Sequence, residues 1–438
     1  MTQILRILER LKGNSIQAAE AVRKAATKLT ASLQRESVVQ NIDFERLRLC
    51  YHILEDVLRQ QWQITSIDAK MRGLHLVSPQ VAEKHALREI MSSRRLESIN
   101  SDREWINRHR EFAHTHLISG YDLAPENIEP YLELCETANS NSLFRYLRYT
   151  WSSPYSEYVG RRMRFIVRDR GHNGAVIGIA ALGSSIMQIS DRDKWIGWLP
   201  KDDDLEDTEN WVNMRSKRAE KIVSMMDMYV CGSIAPYSHL LGGKLICYMM
   251  MSNEVRDMFR NKYAKQRTIT RGRTINDLAL LVTTSLYGDN SSQYNRIRYS
   301  DELLYKPVGL TRGYGTVHLS SHTFEMMRLY LGKLGIEPSY KFGDGVNWKM
   351  RVIRSTLHAL GLDQDLLLQH SYPKAIYVSE YARNSHAYLT GKTSKLDYYD
   401  RPLKGLIDHW RTRWLAMRLK NDEVMERVRT SQANSILV

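Results

Sequence analysis

Cysteine is scarce in this sequence, and the few that occur lie far apart. The chain has 438 residues and only four cysteines, at positions 50, 135, 231 and 247, with no Cys-x-x-Cys pair among them. A disulfide framework or a zinc knuckle would need more cysteines or closer spacing. The sequence therefore predicts reduced thiols, as in a cytoplasmic protein.

Proline and glycine are also few, with 10 and 24 residues, whereas 43% of the chain is hydrophobic. This composition excludes a disordered chain, a collagen-like repeat and a mucin-like stalk. A chain of this length is expected to form two to four structural units. We expect three: a helical N-terminal lobe over 1–143, an α+β core over 144–322 and a mostly helical C-terminal domain over 323–438.

Long apolar runs are missing as well. Residues 173–190 carry no charge, but glycines and serines dilute them, and a spanning helix needs about 20 mostly apolar residues. The first residues reach Arg6, Arg10 and Lys12 before a long apolar stretch develops, so no secretory signal is predicted. We therefore expect a cytoplasmic protein without a membrane segment, and we interpret residues 173–190 as part of a buried hairpin.

Acidic residues are outnumbered, with 49 Asp and Glu against 63 Lys and Arg, which gives a formal net charge of +14. The basic residues concentrate in three clusters, at 161–170, 256–273 and 411–420. Such clusters neutralise phosphates, and aromatic residues between them can stack on bases. The charge pattern favours nucleic-acid binding, with a solvated basic surface as the alternative.

The middle of the chain shows the strand pattern that the flanking regions lack. Two apolar runs, 164–167 and 175–180, are joined by turn residues and predict a β-hairpin. Further strands are predicted at 226–230, 278–284 and 316–319, and one helix from Leu240 to Tyr263. The fold class is therefore α+β, with a central mixed sheet between helical regions.

The turn between the strand at 227–230 and the following helix contains Gly242, Gly243 and Lys244. It resembles the pyrophosphate-binding turn of the GCN5-type acetyltransferase fold, which implies a GCN5-acetyltransferase-like mixed sheet and a cofactor-binding role for these three residues. The usual motif begins with Gln or Arg and ends with Gly or Ala, where this chain has His239 and Lys244. Two alternatives stay open: the glycines let a helix pack on a strand, or Lys244 meets a nucleic-acid phosphate.

Four residues are candidates for catalysis, namely Asp193, Asp227, His239 and Tyr314. On a strand, Asp191 and Asp193 would face the same side and could act in proton transfer, with a structural salt bridge as the alternative. A histidine such as His239 can serve as a general base near neutral pH. No metal site is predicted, and the familiar serine hydrolase, Walker A and zincin motifs are absent.

Several segments together resemble one family, the DruA proteins of the bacterial Druantia antiphage systems. The similarity covers about 144–414 and includes Arg192-Asp193-Lys194-Trp195-Ile196-Gly197-Trp198, Ser238-His239-Leu240-Leu241-Gly242-Gly243-Lys244, and the segments 160–169, 294–296, 309–315 and 347–354. The resemblance implies membership of a multi-gene defence system that also encodes a large helicase-like protein. It supplies no catalytic residues.

The leading hypothesis is an antiphage defence component that binds nucleic acid, most naturally DNA, and acts with a helicase-like partner. Eight residues are predicted to contact nucleic acid, the last two by stacking: Arg161, Arg164, Arg260, Arg271, Arg296, Arg298, Trp195 and Tyr294. One alternative is an enzyme with a GCN5-like acyltransferase, DNA-modifying or DNA-cleaving core. Another is a non-catalytic assembly scaffold, which could also self-associate. The sequence specifies no cofactor and does not choose among these three.

Overall fold

The fold is described from a computed structural model. It describes residues 42–59, 62–66, 75–77, 98–151, 160–200, 208–267, 276–286, 292–313, 319–337, 348–368 and 373–433, with 21–22, 24–25, 27–28, 92, 95–96, 272 and 274. The strands are β1 (Gln63–Ser66), β2 (His75–Val77), β3 (Pro130–Leu134), β4 (Arg162–Asp169), β5 (Ala175–Ser184), β6 (Met225–Ser233), β7 (Leu280–Ser285), β8 (Arg298–Tyr299), β9 (Glu302–Leu303), β10 (Lys306–Leu310) and β11 (Ala375–Glu380).

The α-helices of the described residues lie mostly outside the sheet segments. They are α1 (Ile42–Arg59), α2 (Arg103–His114), α3 (Ala138–Arg148), α4 (Ser190–Ile196), α5 (Thr208–Lys221), α6 (Gly242–Met249), α7 (Asn253–Tyr263), α8 (Ser321–Lys333), α9 (Trp348–Leu360), α10 (Ser385–Leu389), α11 (Leu403–Trp410), α12 (Ala416–Leu419) and α13 (Asp422–Thr430). A π-helix, Arg411–Leu415, joins α11 to α12.

The chain divides into two compact units, each built from separated segments. The first comprises residues 1–97, 152–155 and 312–373, and the second comprises 98–151, 156–311 and 374–438. In the first unit α8 packs against α1 and α9, with Leu54, Met327 and Ile353 in a common apolar core. The buried Asp56 carboxylate accepts the Ser320 N–H at 2.7 Å, just before α8 begins.

The second unit is organised around a seven-stranded mixed sheet in the order β10-β11-β7-β6-β5-β4-β3. All neighbouring pairs are antiparallel except β6 and β7, which run parallel for only three paired positions, ending at Asp227 and Val282. The predicted α+β class with a mixed central sheet is therefore confirmed.

Side chains alternate between the two faces of the sheet, as strand geometry requires. On β7, Leu281 faces the core formed with α6, α7, α11 and α13, whereas Leu280 and Val282 face a core that includes residues of α4 and α10. The β3–β5 end of this second face is covered by α2 and α3. Helices thus cover both faces, so every strand in the middle of the sheet is buried.

Several predicted elements are found and others differ. The predicted hairpin is β4 and β5, and its turn contains Asn173 in the left-handed conformation at φ 52°. The single helix predicted from Leu240 to Tyr263 is instead two helices, because the Ser252 hydroxyl accepts the Val255 N–H and begins α7. The strand predicted at 316–319 falls mainly outside the described residues.

The region before 143 and the region after 323 were expected to be helical, yet each supplies a strand to the sheet. β3 forms one edge next to β4, and β11 lies between β7 and β10. The ranges 1–143, 144–322 and 323–438 stay a prediction of folding domains. The sheet takes strands from all three.

Candidate functional site

The turn between β6 and α6 has an unusual backbone. Leu241 adopts the left-handed conformation at φ 61°, which costs a residue with a side chain about 1 kcal/mol or more. The Gly242 N–H donates to the Tyr237 carbonyl at 3.0 Å and folds the turn back on itself. A Cβ atom on Gly242 would lie 2.9 Å from both Ser233 Cβ and that carbonyl oxygen. Glycine at 242 is therefore required by close packing against β6.

Alanine at Gly242 is expected to destabilise the protein by about 1–3 kcal/mol, because its Cβ would meet backbone and strand atoms that cannot move away. Alanine at Gly243 is the matched control, since its Cβ would meet only side-chain ends, Gln293 Oε1 at 3.1 Å and Ser233 Oγ at 3.8 Å. Urea unfolding of both variants measures the difference. Equal losses would show that the packing at Gly242 is not what holds the turn.

A buried polar network anchors the turn to the β4–β5 hairpin. The Tyr237 hydroxyl donates to Asp169 Oδ2 at 2.9 Å, and the same carboxylate accepts the N–H groups of Glu129 and Gly171. Burial, reinforced by the negative charge of Asp169, raises the pKa of Tyr237. The His172 ring is held at 2.7 Å from Asp169. The sequence offered no signal for this network, since its members are distant along the chain.

The last residue of α11 and the π-helix that follows it pack against the turn and α6. Trp410 Nε1 donates to the Leu241 carbonyl at 3.2 Å, and Trp414 Nε1 donates to the Tyr248 hydroxyl at 3.2 Å. The Lys244 ammonium lies 4.3 Å from the centre of the Trp414 ring. Single π-helical turns are often found at functional sites because the extra residue re-aims side chains. Here it presents Trp414 to the first turn of α6.

Two other segments that carry arginines lie near the same turn. Tyr248 also donates to the Arg298 carbonyl, at 2.9 Å, which brings the segment 293–299 beside α6. Arg296, Arg298 and Arg413 are exposed, and Arg418 is half-buried. Within the described part of the chain these four arginines form no ion pair with a carboxylate. We call the following set the turn surface: Arg296, Arg298, Arg413 and Arg418, from the segments near Gly242–Gly243, together with Lys244, which is itself buried.

Two histidines border the turn surface and are held neutral. Burial lowers the pKa of His239, and the charges of Arg427 and Arg418 lower it further. Burial also lowers the pKa of His409, whose ring lies 5.3 Å from Tyr248 and 5.4 Å from Tyr299. A neutral imidazole next to cations can accept a proton when an anion arrives, because the anion favours the charged form.

The other predicted phosphate contacts are engaged with the protein itself. Arg161 is half-buried, donates to the Val223 carbonyl at 3.0 Å and lies over the Tyr263 ring. Arg164 donates to Asn141 Oδ1 at 3.1 Å, and Arg260 lies 3.7 Å from Asp277. Arg271 falls outside the described residues. Among the described residues, Arg296 and Arg298 are therefore the predicted arginines that are exposed without a carboxylate partner, and Arg298 Nη1 donates to the Asp301 carbonyl at 3.0 Å.

The two predicted stacking residues are placed differently from each other. The Trp195 ring is half-buried and lies 3.9 Å from the His386 ring. The Tyr294 ring is buried, within about 5 Å of the rings of Tyr305 and Tyr377. Stacking on a base needs an exposed ring face, so we assign Tyr294 a packing role in the core.

Asp193 and Asp227 are brought together, on the other face of the sheet from the turn surface. Asp193 lies on helix α4 rather than on a strand, so Asp191 and Asp193 do not share a face. The fully buried Arg192 donates through Nε to Asp193 Oδ1 at 2.7 Å and through Nη1 to the Ile186 carbonyl at 2.8 Å. Arg218 reaches Asp193 Oδ2 at 3.2 Å.

Asp227 completes this buried ionic cluster. Its Oδ2 accepts the Ile186 N–H at 2.8 Å, and its Oδ1 accepts the Ser185 hydroxyl. Burial raises the pKa of Asp227 to about 6, against the opposing charge of Arg192. Burial likewise raises the pKa of Asp193. A carboxyl group with a pKa near neutrality can take and give a proton under physiological conditions.

The three described residues among the four predicted for catalysis do not lie in one site. Asp193 and Asp227 share the buried cluster, whereas His239 lies beside Arg418 and Arg427 of the C-terminal helices. Tyr314 falls outside the described residues. Sequence reasoning missed Arg192, although the Asp191-Arg192-Asp193 triplet placed a cation between two acids. Among the described residues there is no group of three or more metal-ligating side chains and no helix able to cross a membrane.

Comparison with known proteins agrees with the family resemblance. The family model of the Druantia protein DruA matches residues 81–391. A Druantia protein DruA from Escherichia coli (strain UMEA 4076-1) is 32% identical over 313 residues, which is 70% of this chain and 73% of that protein. No solved structure is significantly similar to the chain. The residues matched by the family model include β3 to β11 and α6, but not the π-helix or α13.

Proposed function

Because this chain belongs to the DruA family of Druantia proteins, we propose that it is an antiphage defence component that binds nucleic acid through the turn surface. The proposal includes action alongside other Druantia subunits, among them a helicase-like protein, as the family resemblance implies. We also place it in the cytoplasm, in keeping with its unpaired thiols.

One observation carries the nucleic-acid part of this proposal. Arg296 and Arg298 belong to the segment that Tyr248 holds beside α6, and Arg413 and Arg418 belong to the C-terminal segment whose tryptophans contact the turn and α6. Among the described residues, none of these four arginines forms an ion pair with a carboxylate. Most other arginines of the second unit lie within reach of an acidic partner, as Arg168 does with Glu133 and Arg170 with Glu129. Uncompensated cations on one surface attract phosphates and release counterions on binding. The turn surface therefore fits a nucleic-acid backbone.

Fluorescence anisotropy with labelled single- and double-stranded DNA over a salt series tests this proposal. Four phosphate contacts predict a slope of log affinity against log salt of about −3.6 for duplex DNA and about −2.8 for a single strand. The comparison of the two substrates shows which form is preferred. No binding of either DNA at low salt would contradict the proposal.

A second candidate function is acyl transfer on a GCN5-type fold. The sheet order, with its one parallel pair β6–β7 followed by a turn and helix α6, supports it. The pairing of β6 with β7 ends at Asp227 and Val282, so the two strands stop sharing hydrogen bonds where the acid lies. In this candidate Gly242, Gly243 and Lys244 bind the pyrophosphate of an acyl-CoA, and Asp227 accepts the proton of the acceptor group.

Calorimetric titration with acetyl-CoA tests the second candidate. Binding is expected in the native protein and should survive in Asp227→Asn, because that carboxylate is remote from the phosphates. Transfer of the acetyl group should be lost in the same variant. Absence of binding heat would remove acyl transfer and leave the nucleic-acid proposal untouched, since the two measurements use different ligands.

A further inference from the structure

Two of the four cysteines lie side by side across the turn. Cys231 is on β6 and Cys247 on α6, and their Sγ atoms are 3.6 Å apart. Cys50 and Cys135 belong to two other apolar clusters. A disulfide needs its sulfur atoms about 2.05 Å apart, a change that side-chain rotation and a small shift of α6 can supply. These two thiols are the pair within bonding reach.

We propose that Cys231 and Cys247 form a reversible disulfide under peroxide and that this bond tethers β6 to α6 around the Gly242–Lys244 turn. Only the effect of this bond on DNA binding by the turn surface rests on the proposed function. The thiol chemistry itself stands on the geometry of the pair.

The two thiols differ in access, which assigns their roles. Cys231 is half-buried and Cys247 is fully buried, so we assign the first attack on peroxide to Cys231. Cys231 Sγ attacks one peroxide oxygen, the O–O bond breaks, and the departing oxygen takes the thiol proton and leaves as water or an alcohol. Cys231 is then a sulfenic acid, oxidised by two electrons.

Cys247 completes the reaction. Its Sγ attacks the sulfenic sulfur, the S–S bond forms, and the hydroxyl group leaves with the Cys247 proton as a second water. The neighbouring sulfur and burial raise the pKa of Cys231, so little thiolate is present at neutral pH. The reaction should therefore be slow at neutral pH and rise about tenfold per pH unit. Such a pair responds to sustained rather than brief oxidation.

The disulfide would link the strand that enters the turn to the helix that leaves it. Gly242, Gly243 and Lys244 all lie between the two cysteines in the chain, so the bond closes a ring that contains the turn. Tyr305 already fixes the Cys247 backbone by donating to its carbonyl at 2.7 Å. The backbone adjustment that the disulfide requires is therefore expected in the first turn of α6. That adjustment should alter the contacts of the turn surface with phosphate.

Mass spectrometry of the native full-length protein after hydrogen peroxide treatment tests the proposal. A loss of two hydrogens, mapped to the peptides of Cys231 and Cys247 and restored by dithiothreitol, is expected. Cys231→Ser and Cys247→Ser should each abolish it, whereas Cys135→Ser, the control, should not.

Reduced thiols at both positions, or oxidation of Cys231 to sulfinic acid without the bond, would overturn the proposal. The mass change is read without DNA, so its failure does not touch the nucleic-acid function. Conversely, an oxidised protein that forms the bond but never binds DNA in either state would overturn only the proposed function. DNA affinity changed less than twofold by the bond would overturn the tethering part of the inference.

Discussion

Replacing Arg192 by methionine will lower the free energy of unfolding by about 3–5 kcal/mol at about pH 7.5, the loss expected when one partner of a buried ion pair is removed. Arg192 and Asp193 are fully buried, and Asp227 is nearly so. Without the guanidinium, two carboxylates would stand in the protein interior with only Arg218 as a cation near Asp193. Methionine preserves most of the side-chain volume, so the loss reports charge rather than packing.

The pH dependence separates charge from packing. Without Arg192 the folded-state pKa of both carboxyl groups should rise further above the unfolded values. The folded variant then binds more protons than the unfolded chain, so its stability falls as pH rises and recovers as pH falls toward about 5. Urea unfolding at several pH values measures this recovery.

Two comparisons sharpen the experiment. Adding Asp193→Asn to Arg192→Met should restore part of the stability, because one unpaired charge is removed. Arg383→Met is the matched control, since Arg383 is an exposed partner of Asp397 at 3.2 Å and such pairs contribute about 1 kcal/mol or less. A loss in Arg192→Met that is the same at every pH would show that the cluster is held by shape alone.

The largest expected effect on function comes from reversing two charges of the turn surface. Arg296→Glu combined with Arg413→Glu should weaken DNA binding about 10- to 100-fold at low salt and make the salt slope for duplex DNA shallower by about 1.8. Both side chains are exposed, so the fold should tolerate the changes. Anisotropy over the same salt series measures affinity and slope together.

The control variant must change the net charge by the same amount at another part of the protein surface. Arg383→Glu combined with Arg429→Glu serves, because both arginines are exposed but face the carboxylates of Asp397 and Glu426. If this pair weakened binding as much as the first, net charge alone would explain the affinity and the turn surface would lose its special role. Thermal unfolding of both double variants confirms that each is folded.

Local patterns predicted the parts of the fold that depend on local chemistry. The Asn173-Gly174 pair predicted the turn of the β4–β5 hairpin, because both residues accept left-handed conformations. The strand–glycine–helix order around Gly242 was likewise visible in the sequence. β11 was not, because its six buried residues lie in a region of helical periodicity and pair with strands remote in the chain.

The candidate site was likewise predictable only in part from local sequence patterns. Arg296 and Arg298 were predicted to contact phosphate although they lie outside the three basic clusters, and the structure leaves both exposed. Tyr294 was assigned to stacking from its residue type, but burial, which a single sequence does not give, places it in the core. The placement of Trp414 was beyond sequence reasoning, because π-helical turns are rare and the apolar spacing at Trp410 and Trp414 predicted an ordinary α-helix.

The central position of β11 also constrains how the chain can be made. β11 pairs with β7 on one side and with β10 on the other. β10 precedes β11 in the chain, so β10 cannot join the sheet until β11 has been synthesised. While the ribosome is still translating the segment before residue 375, β7 stands as an open edge with apolar side chains on both faces. A fragment that stops before that point would leave the same edge exposed, so aggregation should follow truncation there.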